Sequence, residues 1–244
     1  MVDPIFAAPR LAEVYDPLDP DRSDLDAYAA MVEEFGVHSV LDIGCGTGTF
    51  ACLLARRGLT VTAVDPAEAS LAVAQTKPGA ERVRWLHGYA TDLPPLQVDL
   101  ATMTGNVAQV FVTDAEWAST LEATSAALRP GGRLVFETRD PAAKAWLEWH
   151  REPSYQRTII VGVGAVQAWV ELLDVDGQLV SFRSIFVFEA DGAVLTSHST
   201  LRFRSRDEVV ASLAAAGYLV DEVRQARDRP GRELVFIARR AGVG

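Results

Sequence analysis

Apolar positions along this chain recur in two rhythms that change at defined places. After Ser23 and Asp24, either of which can cap a helix, Leu25, Tyr28, Ala29, Val32 and Phe35 fall at helical spacing, with Gly36 as the stop. Residues 39–43 then read as a buried strand, followed by the turn Gly44-Cys45-Gly46-Thr47-Gly48 and a helical stretch carrying Phe50, Leu53 and Leu54 that ends at Gly58. Further strands are predicted over 59–64, 83–86, 99–103 and 133–137, and Pro66 suits the first turn of the helix after the second of them. Thr113-Asp114-Ala115-Glu116 is a capping box that opens a helix with Trp117, Leu121 and Leu128 on one face, and Arg129-Pro130-Gly131-Gly132 turns the chain into the fifth strand. Strands that alternate with helices require right-handed crossovers, hence a doubly wound, mostly parallel sheet covered on both faces.

Beyond residue 150 the period changes to two. Runs over 167–173, 178–188 and 193–204 are separated by Asp176-Gly177 and Asp191-Gly192, strong short hairpin signals, and predict an inserted antiparallel β-meander within 152–204. A second capping box, Ser205-Arg206-Asp207-Glu208, opens a last helix through Val209 and Leu213 to Gly217, and strands over 218–223 and 233–238 follow. The expected fold class is thus α/β, a seven-stranded doubly wound sheet with the meander added. The expected organisation is one domain over 1–244 with an N-terminal helical cap over 1–38; 244 residues, 49% of them hydrophobic, suffice for one large core.

Charge narrows the partners. A formal net charge of −10 opposes binding of a polyanion, so no nucleic-acid partner is expected. The start Met1-Val2-Asp3-Pro4 lacks a basic region followed by a long apolar run, and no later run is long enough to span a bilayer, so a cytoplasmic protein without a membrane partner is expected. The two cysteines, Cys45 and Cys52, flank a glycine turn and lack the further ligands a structural zinc needs, so no metal is expected. Oligomeric state is not legible.

A glycine turn after a first strand brings some nucleotide to the carboxyl edge of many α/β sheets, and its details decide which. A dinucleotide fingerprint would need a third glycine where Thr49 stands, and Asp42, two residues before Gly44, would repel a pyrophosphate. Both count against a nicotinamide-dependent dehydrogenase. Asp42 instead suits a ligand carrying an ammonium and a sulfonium, and Asp65, at the end of the second strand, lies where such folds place an acid for ribose hydroxyls. A tight turn with no ligand and a simple helix cap at Asp65 are the alternatives.

Val40-Leu41-Asp42-Ile43-Gly44-Cys45-Gly46-Thr47-Gly48 resembles the first motif of class I S-adenosylmethionine-dependent methyltransferases, and Ala63-Val64-Asp65 the second. The resemblance continues through His87-Gly88-Tyr89-Ala90-Thr91-Asp92-Leu93-Pro94 and Leu128-Arg129-Pro130-Gly131-Gly132-Arg133-Leu134, and covers residues 39–137 best. It implies S-adenosyl-L-methionine as cofactor, S-adenosyl-L-homocysteine as product, and a cofactor site formed by Asp42, Gly44, Cys45, Gly46, Thr47, Gly48, Asp65, Pro66, Tyr89, Ala90 and Thr104, with Tyr15 closing over the methionine end. Tyr89 stands where the family usually carries an acid toward the adenine, and either stacks on the ring or packs beside it.

The acceptor is less legible. Thr104-Gly105-Asn106-Val107-Ala108-Gln109 occupies the stretch that borders the transferred methyl in this family and is not an Asn-Pro-Pro-Tyr tetrapeptide, so the nucleophile class stays open. Transfer from a sulfonium needs mainly orientation and desolvation. If a protein group takes part, His150, His198 and Asn106 are candidates, with His87 a further histidine to test, each with a structural role as the alternative. Asn106, Gln109, Trp146, Tyr155, His198 and Arg202 are candidate substrate residues, the last two from a strand whose polar face either lines a pocket or faces water. The expected activity is methylation of a small molecule; methylation of protein or nucleic acid, and cofactor binding without catalysis, remain alternatives.

Overall fold

The computed structural model describes residues 2–242. Met1, Val243 and Gly244, which the single-domain expectation includes, lie outside the described residues. In chain order the elements are α1 (Pro4–Ala7), α2 (Pro9–Leu18), α3 (Asp24–Glu34), β1 (Ser39–Ile43), α4 (Thr49–Arg56), β2 (Thr60–Asp65), α5 (Glu68–Ala74), β3 (Val83–His87), β4 (Val98–Met103), α6 (Asp114–Ala127), β5 (Leu128–Arg139), α7 (Arg151–Ser154), β6 (Gln156–Ile160), β7 (Gly164–Asp176), β8 (Leu179–Phe188), β9 (Ala193–Arg202), α8 (Arg206–Ala215), β10 (Tyr218–Gln225) and β11 (Glu233–Arg240).

Seven strands form one sheet in the order β10-β11-β5-β4-β1-β2-β3. All neighbours from β5 to β3 run parallel, and β11 enters antiparallel between β5 and β10. This is the α/β fold expected from the alternation. The strand order reverses between β1 and β4, so the carboxyl ends of these two open a crevice where connecting chains diverge to opposite sides.

Both sheet faces are packed. On one, Leu25, Tyr28 and Val32 of α3 and Phe50 and Leu54 of α4 cover Val40, Leu100, Val135 and Val235. On the other, Trp117 and Leu121 of α6 and Val209 and Leu213 of α8 cover Leu41, Met103, Leu134 and Phe136, and the Phe136 and Phe236 rings stack at 5.2 Å.

The second sheet, β6-β7-β8-β9, is antiparallel throughout and lies over the N-terminal helices: Leu11, Val14 and Leu18 of α2 bury against Val166, Ala168, Phe186 and Phe188. The expected meander has one strand more than its sequence pattern gave, because Gln156–Ile160 carries adjacent polar and apolar residues without clean alternation. α1 and α2 lie in the stretch expected as a helical cap; Pro4 and Pro9 stand in the first turn, where the missing N–H costs nothing, and Pro17 lies inside α2.

Both capping boxes form, Thr113 with Glu116 and Ser205 with Glu208. Ser23, by contrast, makes no side-chain cap: its backbone is helical and its N–H is held by Asp21 in a turn, so its hydroxyl is not aimed at the first turn of α3. Pro66 lies before α5 rather than in its first turn, because the Asp65 carboxylate holds the Ala67 N–H and delays the helix start. Arg129 to Gly132 is a bulge inside β5, not a separate turn, and Gly132 is needed there because a Cβ would sit 2.9 Å from the Arg129 carbonyl oxygen.

Candidate functional site

At the carboxyl end of β1 the glycine turn does two different jobs. Gly48 has φ +74°, and a Cβ there would lie 2.5 Å from the Trp85 ring, so packing alone demands glycine. Gly46 has φ +52° with nothing within 4 Å of where a Cβ would stand. Its empty side faces open space, which is what close approach of a ligand to backbone requires. The Gly46 N–H donates to Asp65 Oδ2 and the Ala67 N–H to Oδ1, each at 2.8 Å, so β2's terminal carboxylate ties the glycine turn to the start of α5 while each oxygen keeps a lone pair for a hydroxyl. Burial raises the Asp65 pKa from its ordinary value, against the lowering effect of those two N–H groups.

Asp42 is 1% exposed, and its Oδ1 accepts from the Thr102 hydroxyl at 2.9 Å while Oδ2 has no partner. Desolvation pushes its pKa up to about 7, with the Asp65 and Glu137 charges adding in the same direction. A buried carboxylate oxygen left unpaired costs free energy that a bound cation or hydrogen-bond donor recovers. The residues at this edge therefore fit S-adenosylmethionine, whose ammonium and sulfonium are positive and which has no phosphate for Asp42 to repel. When bound it supplies an activated methyl group.

Farther along the same edge, Glu137 of β5 and Glu233 of β11 extend a row of acids on the face that carries Asp42. Glu137 is 3% exposed and accepts from the Tyr28 hydroxyl at 2.5 Å and from the Asn106 N–H at 2.7 Å, with the Gly105 N–H also directed at it. Desolvation raises its pKa to about 7 against those donors. Glu233, 5% exposed, accepts from Arg229 Nη1 at 2.8 Å and from Asn106 Nδ2 at 3.2 Å, and Arg139 Nε lies 3.9 Å away. Asn106 itself is 5% exposed, has the left-handed φ of +61°, and its Oδ1 has no partner. An unpaired buried carbonyl costs about 1–3 kcal/mol and a left-handed non-glycine residue about as much again.

Around this row stand Tyr15 of α2, whose hydroxyl pKa is raised chiefly by desolvation, and Gln109, fully buried, which takes Arg139 Nη1 on its Oε1 at 2.9 Å and donates to the Arg202 carbonyl. Asp16, next to Tyr15, accepts from the Thr47 hydroxyl at 2.7 Å and pairs with Lys77 at 2.5 Å, which fastens α2 to the glycine turn and to the segment after α5. Trp146 and Trp149 pack on Phe203, and Trp149 also on Phe182, with the Arg139 guanidinium 5.6 Å from the Trp149 ring.

The structure brings together Asp42, Gly44, Cys45, Gly46, Thr47, Gly48, Asp65, Pro66 and Thr104 at the ends of β1, β2 and β4, with Asn106 and Gln109 beside them. Ala90 is buried after β3, whereas Tyr89 is 51% exposed, its N–H held by Asp92. His87 contacts the Pro66 carbonyl at 3.1 Å, at the β2 side and away from the acid row. Other candidates lie elsewhere. His198 is exposed and pairs in register with Arg183 on the face of the second sheet opposite to Ser197 and Ser199, so its strand's polar face meets water. His150 is exposed at the start of α7, and Tyr155, 42% exposed, lies near the Trp169 ring and Arg151. Arg202 is a fastener: it binds Asp114, the Val112 carbonyl and Gln178, joining β9 to the start of α6. Tyr28, Glu137, Arg139, Glu233 and Asp16 were missed. A usable signal existed, since Glu137 and Glu233 interrupt or border otherwise apolar strands, and a charge in a buried run is the informative exception.

Among the described residues no group of three or more His, Cys, Asp or Glu side chains is arranged to hold a metal ion, and no helix is long and apolar enough to cross a membrane. A parallel sheet with one reversed strand and a glycine turn at its switch point is a Rossmann-like arrangement that matches methyltransferase folds. Residues 40–132 match the family of methyltransferase domains, and this match supports an S-adenosylmethionine-dependent methyltransferase. The chain is similar to the cypemycin N-terminal methyltransferase of a Streptomyces species, 26% identical over 91% of each chain. A ubiquinone biosynthesis O-methyltransferase of Azotobacter vinelandii is 35% identical, but over 44% of this chain, which spans only 47% of that relative. Among solved structures, a sugar N-methyltransferase from Streptoalloteichus matches with a TM-score of 0.74 at 22% identity, over 90% of this chain and 87% of that one. An amino pentose methyltransferase from Micromonospora echinaspora involved in calicheamicin biosynthesis matches with a TM-score of 0.70 at 22% identity, over 94% and 95%.

Proposed function

We propose that this enzyme transfers the methyl group of S-adenosylmethionine to a nitrogen of a small molecule. The observation that carries this reading is the pair of buried acids Glu137 and Glu233 with Asn106 held between them, its Oδ1 unpaired. In the transfer the amine lone pair forms the new N–C bond while the C–S pair stays on sulfur, so positive charge moves from sulfonium to nitrogen. Carboxylates fixed beside the path favour that cation without reorganising. Relatives matching along nearly the whole chain support nitrogen, being named for an N-terminal amine, an amino pentose and a sugar nitrogen. The oxygen-methylating relative matches less than half of the chain.

In this reading Asp42, Gly44, Cys45, Gly46, Thr47, Gly48 and Thr104 border the methionine part of the cofactor. Asp65 and Pro66 lie at the ribose, and Tyr89 and Ala90 at the adenine. Tyr15 covers the methionine end. Gln109, Trp146 and Trp149 border the acceptor, and orientation and desolvation provide most of the rate, with no strong base needed. The net charge of −10 disfavours a nucleic-acid acceptor, and the two unpaired cysteines accord with a cytoplasmic enzyme.

A second reading, methylation of a peptide's terminal amine, is favoured by the full-length similarity to the cypemycin enzyme. Incubation with methyl-labelled S-adenosylmethionine and, separately, glucosamine, the peptide Ala-Ala-Ala, catechol and a DNA oligonucleotide tests both. Label on glucosamine supports the first reading and label on the tripeptide the second; label only on catechol or DNA overturns both.

A further inference from the structure

Two buried glutamates from adjacent strands hold one asparagine in different ways. Glu137 takes the backbone N–H groups of Gly105 and Asn106, which fixes the turn after β4 in its left-handed form. Glu233, paired with Arg229 and so an acceptor only, takes the side-chain amide through Nδ2 at 3.2 Å. Rotating the amide by half a turn would set its oxygen against that carboxylate. Its orientation is therefore determined, and Oδ1 is forced away from Glu233 to a place where no described group donates to it. Tyr28 completes the arrangement by bonding Glu137 at 2.5 Å from the far side, so the clamp reaches α3.

So much constraint around one residue in a strained conformation, with its carbonyl oxygen left over, is the pattern of a prepared ligand contact. The geometry points to Asn106 Oδ1 as the acceptor of an N–H from the reacting amine, an assignment that rests on the nitrogen reading above. With that N–H on Oδ1, the amine lone pair is left free for the methyl carbon. A neutral amide cannot take the proton, so the amine enters neutral. The product ammonium keeps its proton through transfer and loses it to water after release. Each transfer consumes one N–H. A primary amine can be methylated twice, whereas a tertiary amine has none left to offer Oδ1, so the enzyme stops at the dimethyl product.

Asn106→Gly tests this, because glycine tolerates the left-handed backbone and keeps the N–H that Glu137 holds. With glucosamine and Ala-Ala-Ala as acceptor probes, kcat/KM is expected to fall about 10- to 100-fold, the range for losing one buried hydrogen-bond partner, while calorimetric affinity for S-adenosylmethionine stays within about threefold. Glu233→Gln, which preserves shape but frees the amide to turn, should lose less, and the double variant no more than Asn106→Gly alone. Mass spectra of wild-type products should show one or two added methyls and no trimethylammonium. Unchanged kcat/KM in the glycine variant, or a trimethylated product from wild type, overturns the assignment with the nitrogen reading intact. Cofactor affinity lost along with turnover overturns it too, by showing that Oδ1 serves the cofactor. Wild-type enzyme that methylates catechol and neither amine overturns the nitrogen reading and the assignment together. Should the glycine variant not fold, Glu233→Gln decides: turnover and cofactor affinity both at wild-type level contradict the clamp.

Discussion

The ends of β1 and β2 differ from the ends of β5 and β11 in how they are held. At the first pair Asp65 makes its bonds to nearby backbone, to Gly46 and Ala67 across 19 and 2 residues, while Asp42 reaches the Thr102 hydroxyl across 60. At the second pair the bonds are made by side chains far apart in the chain, Tyr28 to Glu137 across 109 residues and Asn106 to Glu233 across 127. A site of the first kind is written as a motif. One of the second kind exists only after the whole sheet has assembled, and its chemistry can vary without altering the strands that carry it.

The largest expected effect strikes the first region through packing. Gly48→Ala places a Cβ against Trp85 at a left-handed φ, and should cost about 3 kcal/mol or more, lowering the thermal midpoint by roughly 6–12 °C. A shift below about 2 °C would show that the turn can rearrange.

Asp65→Ala should weaken S-adenosylmethionine binding by roughly 1.5–3 kcal/mol, the range for hydrogen bonds to a charged acceptor, and leave the fold intact. Unchanged affinity by calorimetry would reduce Asp65 to a cap of α5.

A pH series separates the two regions further. Because the folded pKa values of Asp42 and Glu137 are raised to about 7, the native state holds protons that the unfolded chain releases near pH 4. Their contribution to stability is therefore fully present at the acid end of that window, falls as pH rises from about 4 to 7 at up to ~1.4 kcal/mol per pH unit per group, and is gone above. Chemical denaturation at pH 5 and 8 checks it, and equal free energies after allowing for other groups would contradict it. Cofactor binding should move the other way, since its positive charge favours ionised Asp42: affinity should rise up to about tenfold between pH 6 and 7 and the rise should disappear in Asp42→Asn.

Smallest of all, Arg202→Ala should cost about 1–2 kcal/mol of stability through the lost bonds to Asp114 and Val112, while His198→Ala changes stability and turnover by less than about 0.5 kcal/mol. Turnover that falls with His198→Ala would put the outer face of the second sheet back at the acceptor.

The same contrast explains what could be read before the structure. Asp42, the glycine turn and Asp65 were legible because they follow one another within a single strand-turn-helix-strand unit whose spacing is fixed by local geometry, although Asp42's own partner, Thr102, lies on β4. So were the capping boxes and the hairpin turns at Gly177 and Gly192. Asn106 was legible only as a polar residue at the right place along the chain. Nothing near it in sequence announces Glu137 or Glu233, and strand pairing brings them together from 31 and 127 residues away. His198 illustrates the open case: alternation separated its strand's two faces, with a pocket and water both left as readings of the polar one, and which face meets the site depends on how the second sheet docks on α2.

The division between a cofactor region and an acceptor region is tested most directly by titrating S-adenosylmethionine into wild type, Asp65→Ala and Asn106→Gly by calorimetry under one set of conditions. The expected result is an affinity about 10- to 100-fold weaker for Asp65→Ala and within about threefold of wild type for Asn106→Gly. Equal weakening of both, or loss confined to Asn106→Gly, would contradict it.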